Sequence, residues 1–210
     1  MAASKRQPLN RERILKAAVG YVDREGLEAL SMRKLGAELG VEAMSLYNHV
    51  PGKGALLDGM VEVLLRGLDV PPGNGDWEAR VRESYRRFRR LAHGHPNVFP
   101  LLIVRPPDTM DGAWLVETFL ETLQNAGFDA GTALQAYRTL TSFTVGYVTS
   151  EIRGFAMEPG DGRVGALGLD SNDFPRLSKL SPFLGDINRD DEFEEGLDLI
   201  LTGLRARRSG

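Results

Sequence analysis

The chain has 210 residues, 26 Lys and Arg against 29 Asp and Glu, a formal net charge of -3, and no cysteine. That length supplies one or two domains with enough material for a core, and the lack of cysteine excludes disulfides and thiolate metal sites. The opening MAASKRQPLNRERILK lacks the apolar stretch of a signal peptide, and no apolar run nears the roughly 20 residues that span a bilayer, so the expected location is the cytoplasm.

Residues 1–9 read as an arm bearing Lys5 and Arg6. Asn10 is placed to cap a first helix, in which Ile14, Ala18, Tyr21 and Val22 recur at helical spacing and which Gly26 ends. Ser31 caps a second helix, with Met32, Leu35 and Leu39 facing inward. Gly40 stops it in the backbone state that only glycine adopts cheaply, and Val41 plugs the turn. A third helix covers 42–48. Pro51-Gly52 breaks the chain before a fourth helix over 53–68, with Leu56, Leu57, Met60 and Leu64 on one face.

VPPGNGD, at 70–76, reads as a linker or tight bend. Asp76 caps a fifth helix striped by Trp77, Val81, Tyr85, Phe88 and Leu91. Gly94, Pro96 and Pro100 break the stretch 93–100, and a short apolar piece, 101–104, follows. Helices are expected over 109–125, closed by Gly127, and over 130–155, capped by Asp129. Residues 158–189 are rich in Gly, Pro, Asp and Ser and read as a mobile loop with one short helix near 174–179. Asp190 caps a last helix striped by Phe193, Leu197, Ile200, Leu201 and Leu204. No segment alternates like a strand, so the fold class is all-α.

The segment 27–58 is a helix-turn-helix by pattern. Leu46 and Val50 anchor its second helix, leaving Ala43, Met44, Ser45, Tyr47 and Asn48 free for a DNA groove. Ser45 and Asn48 can hydrogen-bond base edges, and Ala43 and Met44 can touch thymine methyls. Tyr47, His49 and Lys53 suit phosphates, Arg33 suits a guanine or a phosphate, and Ser31 and Met32 complete the expected DNA-binding set. Residues 1–56 carry nine Lys/Arg and six Asp/Glu, whereas 57–210 carry seventeen and twenty-three. A basic head on an acidic remainder fits that reading.

Several features argue against other chemistry. His93 and His95 lack a third ligand nearby, and Gly94 with Pro96 reads as a helix end. Arg80, Arg82, Arg86, Arg87, Arg89 and Arg90 read as a solvated face partly paired with Glu83. No nucleophile elbow, phosphate loop or paired-carboxylate arrangement emerges, so no catalytic residue, metal or cofactor is expected.

SMRKLGAELGVEAMSLYNHVPGKGALLD resembles the head of the tetracycline-repressor (TetR) family, through Arg33-Lys34-Leu35, Leu39-Gly40-Val41, Leu46-Tyr47-x-His49-Val50, and Lys53 before Leu56-Leu57. Val104-Arg105-Pro106, Gly127-Phe128, Phe143-Thr144-Val145-Gly146 and Gly196-Leu197-Asp198-Leu199-Ile200 resemble segments of the tetracycline-repressor body. The resemblance implies DNA-backbone contacts from Tyr47 and Lys53, and base-facing positions at 33, 43, 44 and 45. It also implies a helical body whose eighth and last helices form a four-helix bundle with a second copy, and an effector pocket in each copy. The implied architecture is a three-helix helix-turn-helix head over 1–52, a connecting helix over 53–69, and an effector-binding and dimerisation domain over 70–210.

On that basis Ser84, Phe88, Leu101, Arg105, Trp114, Phe119, Tyr137, Thr141 and Tyr147 are the expected effector-binding residues. Tyr147, Phe193, Leu197, Ile200, Leu201 and Leu204 are the expected homodimer contacts. Two departures stand out. Ala43-Met44 replaces the Gln-Pro of the family's namesake, which implies a different operator. Leu101 and Ser150 stand where that protein has the His and Glu that help hold a magnesium-drug chelate. Leu101 cannot ligate a hard cation, and Glu151 points about 100° away from Ser150 on a helix, so the expected effector is apolar and metal-free. The expected function is a ligand-responsive repressor released from a palindromic operator. The alternatives are an activator, a regulator without a ligand, and a small-molecule-binding protein or enzyme with a structural helix-turn-helix.

Overall fold

The computed structural model describes residues 8–68, 76–105, 109–154, 174–176 and 188–208. Among these lie nine α-helices and no strand: α1 Arg11–Glu25, α2 Met32–Leu39, α3 Ala43–Tyr47, α4 Lys53–Arg66, α5 Trp77–Gly94, α6 Pro100–Val104, α7 Met110–Asn125, α8 Ala130–Arg153 and α9 Arg189–Arg208. A single 3-10 turn, Leu27–Ala29, joins α1 to α2.

Local chemistry sets most boundaries. The side chains of Asn10, Ser31, Thr109 and Asp129 each accept the backbone N–H three residues on, at 2.8, 3.2, 3.1 and 3.0 Å, satisfying donors that a helix start leaves open. Gly26, Gly40, Gly127 and Gly154 follow helices with positive φ. The expected break at Gly94 comes one residue later, because α5 runs through Gly94 and His95 takes the C-cap. Asp190 does not cap the last helix. The Asn188 carboxamide accepts the Asp190 N–H at 3.0 Å, and Asp190 lies in the first turn, where its charge suits the helix dipole. Of the short helix expected near 174–179, only 174–176 are described, and they form a turn; the rest of the expected loop lies outside the described residues.

Two large apolar cores, and a small cluster of Ala92, Phe99 and Val148 beside them, organise these helices. Ile14 and Val22 of α1, Leu35 of α2, Leu46 of α3 and Leu56 and Met60 of α4 are fully buried together, and Val98 and Leu101 join them from the α5–α6 corner. The second core gathers Val81 and Tyr85 of α5, Phe119 and Leu123 of α7, Leu140 of α8, and Phe193, Leu197 and Leu201 of α9. Gly196 lets α9 lie close on α8, since a Cβ there would stand 2.3 Å from Cζ of Phe143.

The arginine row of α5 is not a plain solvated face. Arg82 pairs with Asp198, Arg86 with Glu194 at 2.6 Å, and Arg89 with both Glu151 at 2.6 Å and Asp190 at 2.7 Å. The Arg89 guanidinium also sits 5.0 Å from the Phe193 ring centroid, within cation–π range. These partners lie more than sixty residues away in sequence, so only the tertiary fold brings them together. Among the described residues, no helix is long and apolar enough to cross a membrane.

Candidate nucleic-acid interface and ligand cavity

The turn between α2 and α3 depends on two glycines. Gly40 takes φ 70°, and the N–H groups of Gly40 and Val41 bond back to Ala37 and Gly36 at 3.2 and 2.9 Å. Gly36 lies beneath the turn: a Cβ there would come 2.9 Å from the Val41 oxygen and 3.2 Å from the Ala43 nitrogen. Only hydrogen at that position lets α3 sit so close to α2. Leu46 and Val50, 0% and 1% exposed, then pin α3 from below.

This leaves a polar outer face. Met44 is 71% exposed and Tyr47 43% exposed. Arg33, Asn48, His49 and Lys53 are exposed beside them, and Ala43 and Ser45 are half-buried at the edge. Arg33 and Lys53 form no ion pair among the described residues, unlike the arginines of α5. Unpaired cations around a short exposed helix are available to phosphates. One expected residue does not belong to this face. Met32 is buried in the first core, because it begins α2 on the inward side of the amphipathic pattern. Ser31 is the α2 N-cap: its hydroxyl oxygen accepts the Lys34 N–H at 3.2 Å, which leaves its O–H to donate.

A second candidate site is a cavity of about 170 Å³ among α4, α5, α6, α7 and α8. Ser84, Phe88, Phe119, Tyr137 and Thr141, five of the expected effector residues, line it. So do Leu65, Leu68, Tyr85, Leu102, Gly112, Leu115 and Val145, which the sequence reading did not assign to it. Spacing carried part of that signal: 137, 141 and 145 are successive i, i+4 positions on α8, and 84, 85 and 88 share one flank of α5.

Among the described residues the lining is neutral. The Tyr85 hydroxyl lies 3.1 Å from the Thr141 hydroxyl and 3.3 Å from the Tyr137 carbonyl, to which it can donate. Burial raises the phenols of Tyr85 and Tyr137 above their ordinary range, so both stay protonated. Tyr85 and Phe119 meet edge-on with ring centroids 5.8 Å apart, and Phe119 and Tyr137 are tilted against each other at 5.5 Å.

Four expected effector residues lie elsewhere. Leu101 turns into the first core at 3% exposure, while its neighbour Leu102 reaches the cavity; one residue of register on the short α6 separates them. Arg105 pairs with Asp58 of α4. Trp114 is 63% exposed on α7. Tyr147 donates to the Arg189 carbonyl at 3.0 Å and packs on Phe193.

The expected dimer stripe also needs correction. Phe193, Leu197, Leu201 and Leu204 are at most 7% exposed within a single chain, so they close its own core. Ile200 is half-buried. The outward apolar residue of α9 is Leu199, 78% exposed, and on α8 the exposed positions include Ser142 and Gly146. His93 and His95 diverge, His93 to Glu151 at 2.9 Å and His95 to Asp23 at 2.7 Å.

Comparison with known proteins identifies the family of both halves of the chain. The family described as bacterial regulatory proteins, tetR family, matches residues 14–60, and the tetracyclin repressor-like C-terminal domain matches residues 71–208. The HTH-type transcriptional repressor DrrR1 of Streptomyces coeruleorubidus is 33% identical over 96% of this chain and 80% of its own. The class A tetracycline repressor from transposon 1721 of Escherichia coli is 32% identical over 93% of this chain and 90% of its own. Among solved structures, the Streptomyces coelicolor TetR family protein ActR in complex with actinorhodin superposes with a TM-score of 0.83 at 32% identity, covering 97% of this chain and all of the other.

Proposed function

The chain belongs to the tetR family of bacterial regulatory proteins, whose members with this architecture are ligand-responsive, DNA-binding transcriptional repressors, and from that premise we propose how this one works. Two copies bind a palindromic operator, each laying α3 into the major groove, with half-sites about one helical turn or slightly more apart. Ala43, Met44, Ser45 and Asn48 face bases, Arg33 reaches a base or a phosphate, and Tyr47, His49 and Lys53 hold the backbone. Residues 1–52 act as the DNA-binding domain, 53–69 as the connecting helix, and 70–210 as the effector and dimerisation domain.

The partner copy covers the outward side of α8 and α9, around Leu199, Ile200, Ser142 and Gly146. The effector enters the cavity between α5, α7 and α8. The single observation that carries its chemistry is that, among the described residues, none lining that cavity is charged. An ionised ligand would lose its hydration without a counter-charge, so the effector is neutral and largely apolar, with Ser84, Tyr137 and Thr141 fixing its orientation. α4 lines the cavity through Leu65, with Leu68 just beyond its end, and also packs on α1. A ligand that favours a different α4 position therefore favours a different spacing of the two heads, and DNA is released through its unequal affinity for the two states.

The test is binding of purified protein to the DNA upstream of its own gene. Arg33→Ala and Tyr47→Phe should each weaken that binding and leave the fold intact. Equal affinity for that DNA and for random duplex at moderate salt would refute the reading.

A further inference from the structure

The 170 Å³ cavity is small for an effector. An apolar cavity of about 150 Å³ holds a single benzene ring, whereas drug-sized ligands occupy roughly 300–1,000 Å³. A second hollow, of about 360 Å³, lies on the other side of one of its walls. Leu65, Leu68 and Leu115 line both spaces, so three leucine side chains are the partition. The outer hollow is different in character. Trp114 stands exposed on its rim, and Arg66 of α4 meets Asp111 of α7 in it at 2.7 Å. Together the two spaces reach the range of a drug-sized ligand, and neither does so alone as an enclosed apolar site.

We propose that the outer hollow is a second subsite, and that the effector is an aromatic body bearing a neutral, hydroxyl-rich substituent such as a sugar. The body occupies the inner cavity and the substituent passes between Leu65, Leu68 and Leu115 to Trp114. This rests on the reading of the inner cavity as the effector site.

The chemistry of the outer walls selects the substituent. Arg66 is shared between Asp111 at 2.7 Å and Glu62 at 3.9 Å, and Glu62 is in turn paired with Arg11, so this network is charge-balanced and offers a charged tail of either sign no spare counter-charge. The Arg66–Asp111 pair remains rich in hydrogen-bonding capacity: a guanidinium carries five N–H donors and a carboxylate about four acceptor sites, and the 2.7 Å contact uses one of each. Their side chains stay 54% and 34% exposed. A group that both gives and accepts hydrogen bonds, and that has a C–H face to lie on an indole, fits this wall. Hydroxyl-rich rings have both properties. The Thr118 hydroxyl on the same wall donates to the Trp114 carbonyl at 2.8 Å, so it offers a ligand only acceptor capacity beside the indole and the ion pair.

The position also matters for the response. Arg66 and Asp111 tie α4 to α7, so a substituent that shares their hydrogen bonds acts on the helix that carries the DNA-binding unit.

The test is calorimetric titration with 2-naphthol and with 2-naphthyl β-D-glucopyranoside. The glucoside should bind about tenfold tighter, the worth of one good stacking contact. Trp114→Ala and Asp111→Ala should remove that advantage and leave naphthol binding as it was. Val145→Trp, which fills the inner cavity, should weaken both ligands; an unchanged helical circular-dichroism signal shows that the variant is folded. Equal binding of the two ligands, indifferent to Trp114→Ala but lost in Val145→Trp, would overturn the second subsite and leave the inner cavity standing. Binding of either ligand unaffected by Val145→Trp, or binding of neither, would overturn the effector cavity itself.

Discussion

Gly36→Ala should separate stability from DNA binding. Gly36 lies inside α2, where alanine gains about 1 kcal/mol over glycine in helix propensity. Its added methyl would stand 2.9 Å from the Val41 oxygen, 3.2 Å from the Ala43 nitrogen and 3.3 Å from the Ala43 Cα. All three are backbone atoms, so no flexible side chain can yield, and the turn with α3 must retreat by about half an ångström to restore ordinary contact. Overpacking of this kind costs roughly 1–3 kcal/mol. The two effects oppose, and the net loss of stability should be about 0–2 kcal/mol. DNA binding has no such compensation, because every base-facing residue of α3 moves, and a good bidentate base contact is worth about 1–3 kcal/mol. Affinity for the upstream DNA should fall at least about tenfold. Gly20→Ala is the control: it lies inside α1, where its methyl meets nothing closer than an arginine nitrogen at 3.6 Å. That variant should gain about 0.5–1 kcal/mol and bind DNA normally. Thermal melts and fluorescence anisotropy on both proteins decide the matter. If Gly36→Ala binds DNA as tightly as Gly20→Ala, the close α2–α3 approach is not what positions α3.

Leu199→Glu should yield folded monomers in analytical ultracentrifugation, since Leu199 is 78% exposed within one chain; a dimer that survives would place the interface elsewhere. Leu197→Ala should instead lower the melting temperature, costing about 2–5 kcal/mol as a core truncation, and a stable variant that dissociates would reverse that assignment. Acid should loosen the α5–α8–α9 junction. Burial opposes the Glu151 charge, but hydrogen bonds from Arg89 and His93 outweigh it and hold the carboxyl below its usual range. A depressed carboxylate contributes stability above its unfolded value, about 4.3, and loses it as pH falls from there through the lower folded value. Glu151→Gln should be less stable than the parent at pH 7 and converge towards it below pH ~4; parallel curves would show that Glu151 does not drive the acid loss.

Features fixed by neighbours in sequence were legible in advance. The caps at Asn10, Ser31 and Asp129 and the reversal at Gly40 follow from side-chain reach and backbone freedom, and each appears as expected. The outer face of α3 was legible for the same reason, because Leu46 and Val50 leave few ways to orient so short a helix. Met32 stood both in the inward stripe with Leu35 and Leu39 and in the DNA-binding set, and its burial keeps only the first. Periodicity located the stripe Phe193, Leu197, Leu201 and Leu204 but could not name its partner, and the stripe closes the chain's own core. Resemblance put residue 101 at the cavity, yet the turn of α6 presents residue 102. The α5 arginines looked solvated because their acids, Glu151, Asp190, Glu194 and Asp198, approach only in three dimensions.

The central claim is that α3 and its flanking cations read a specific DNA sequence. The most direct measurement is the affinity of the intact protein for its own upstream DNA and for random duplex, over a series of salt concentrations, with Lys53→Ala alongside. The account predicts a clear preference for the upstream DNA. It also predicts that Lys53→Ala weakens binding to both duplexes alike and lowers the salt slope by about one per lost phosphate contact. Equal affinity for both duplexes, or a salt dependence indifferent to Lys53, would contradict it.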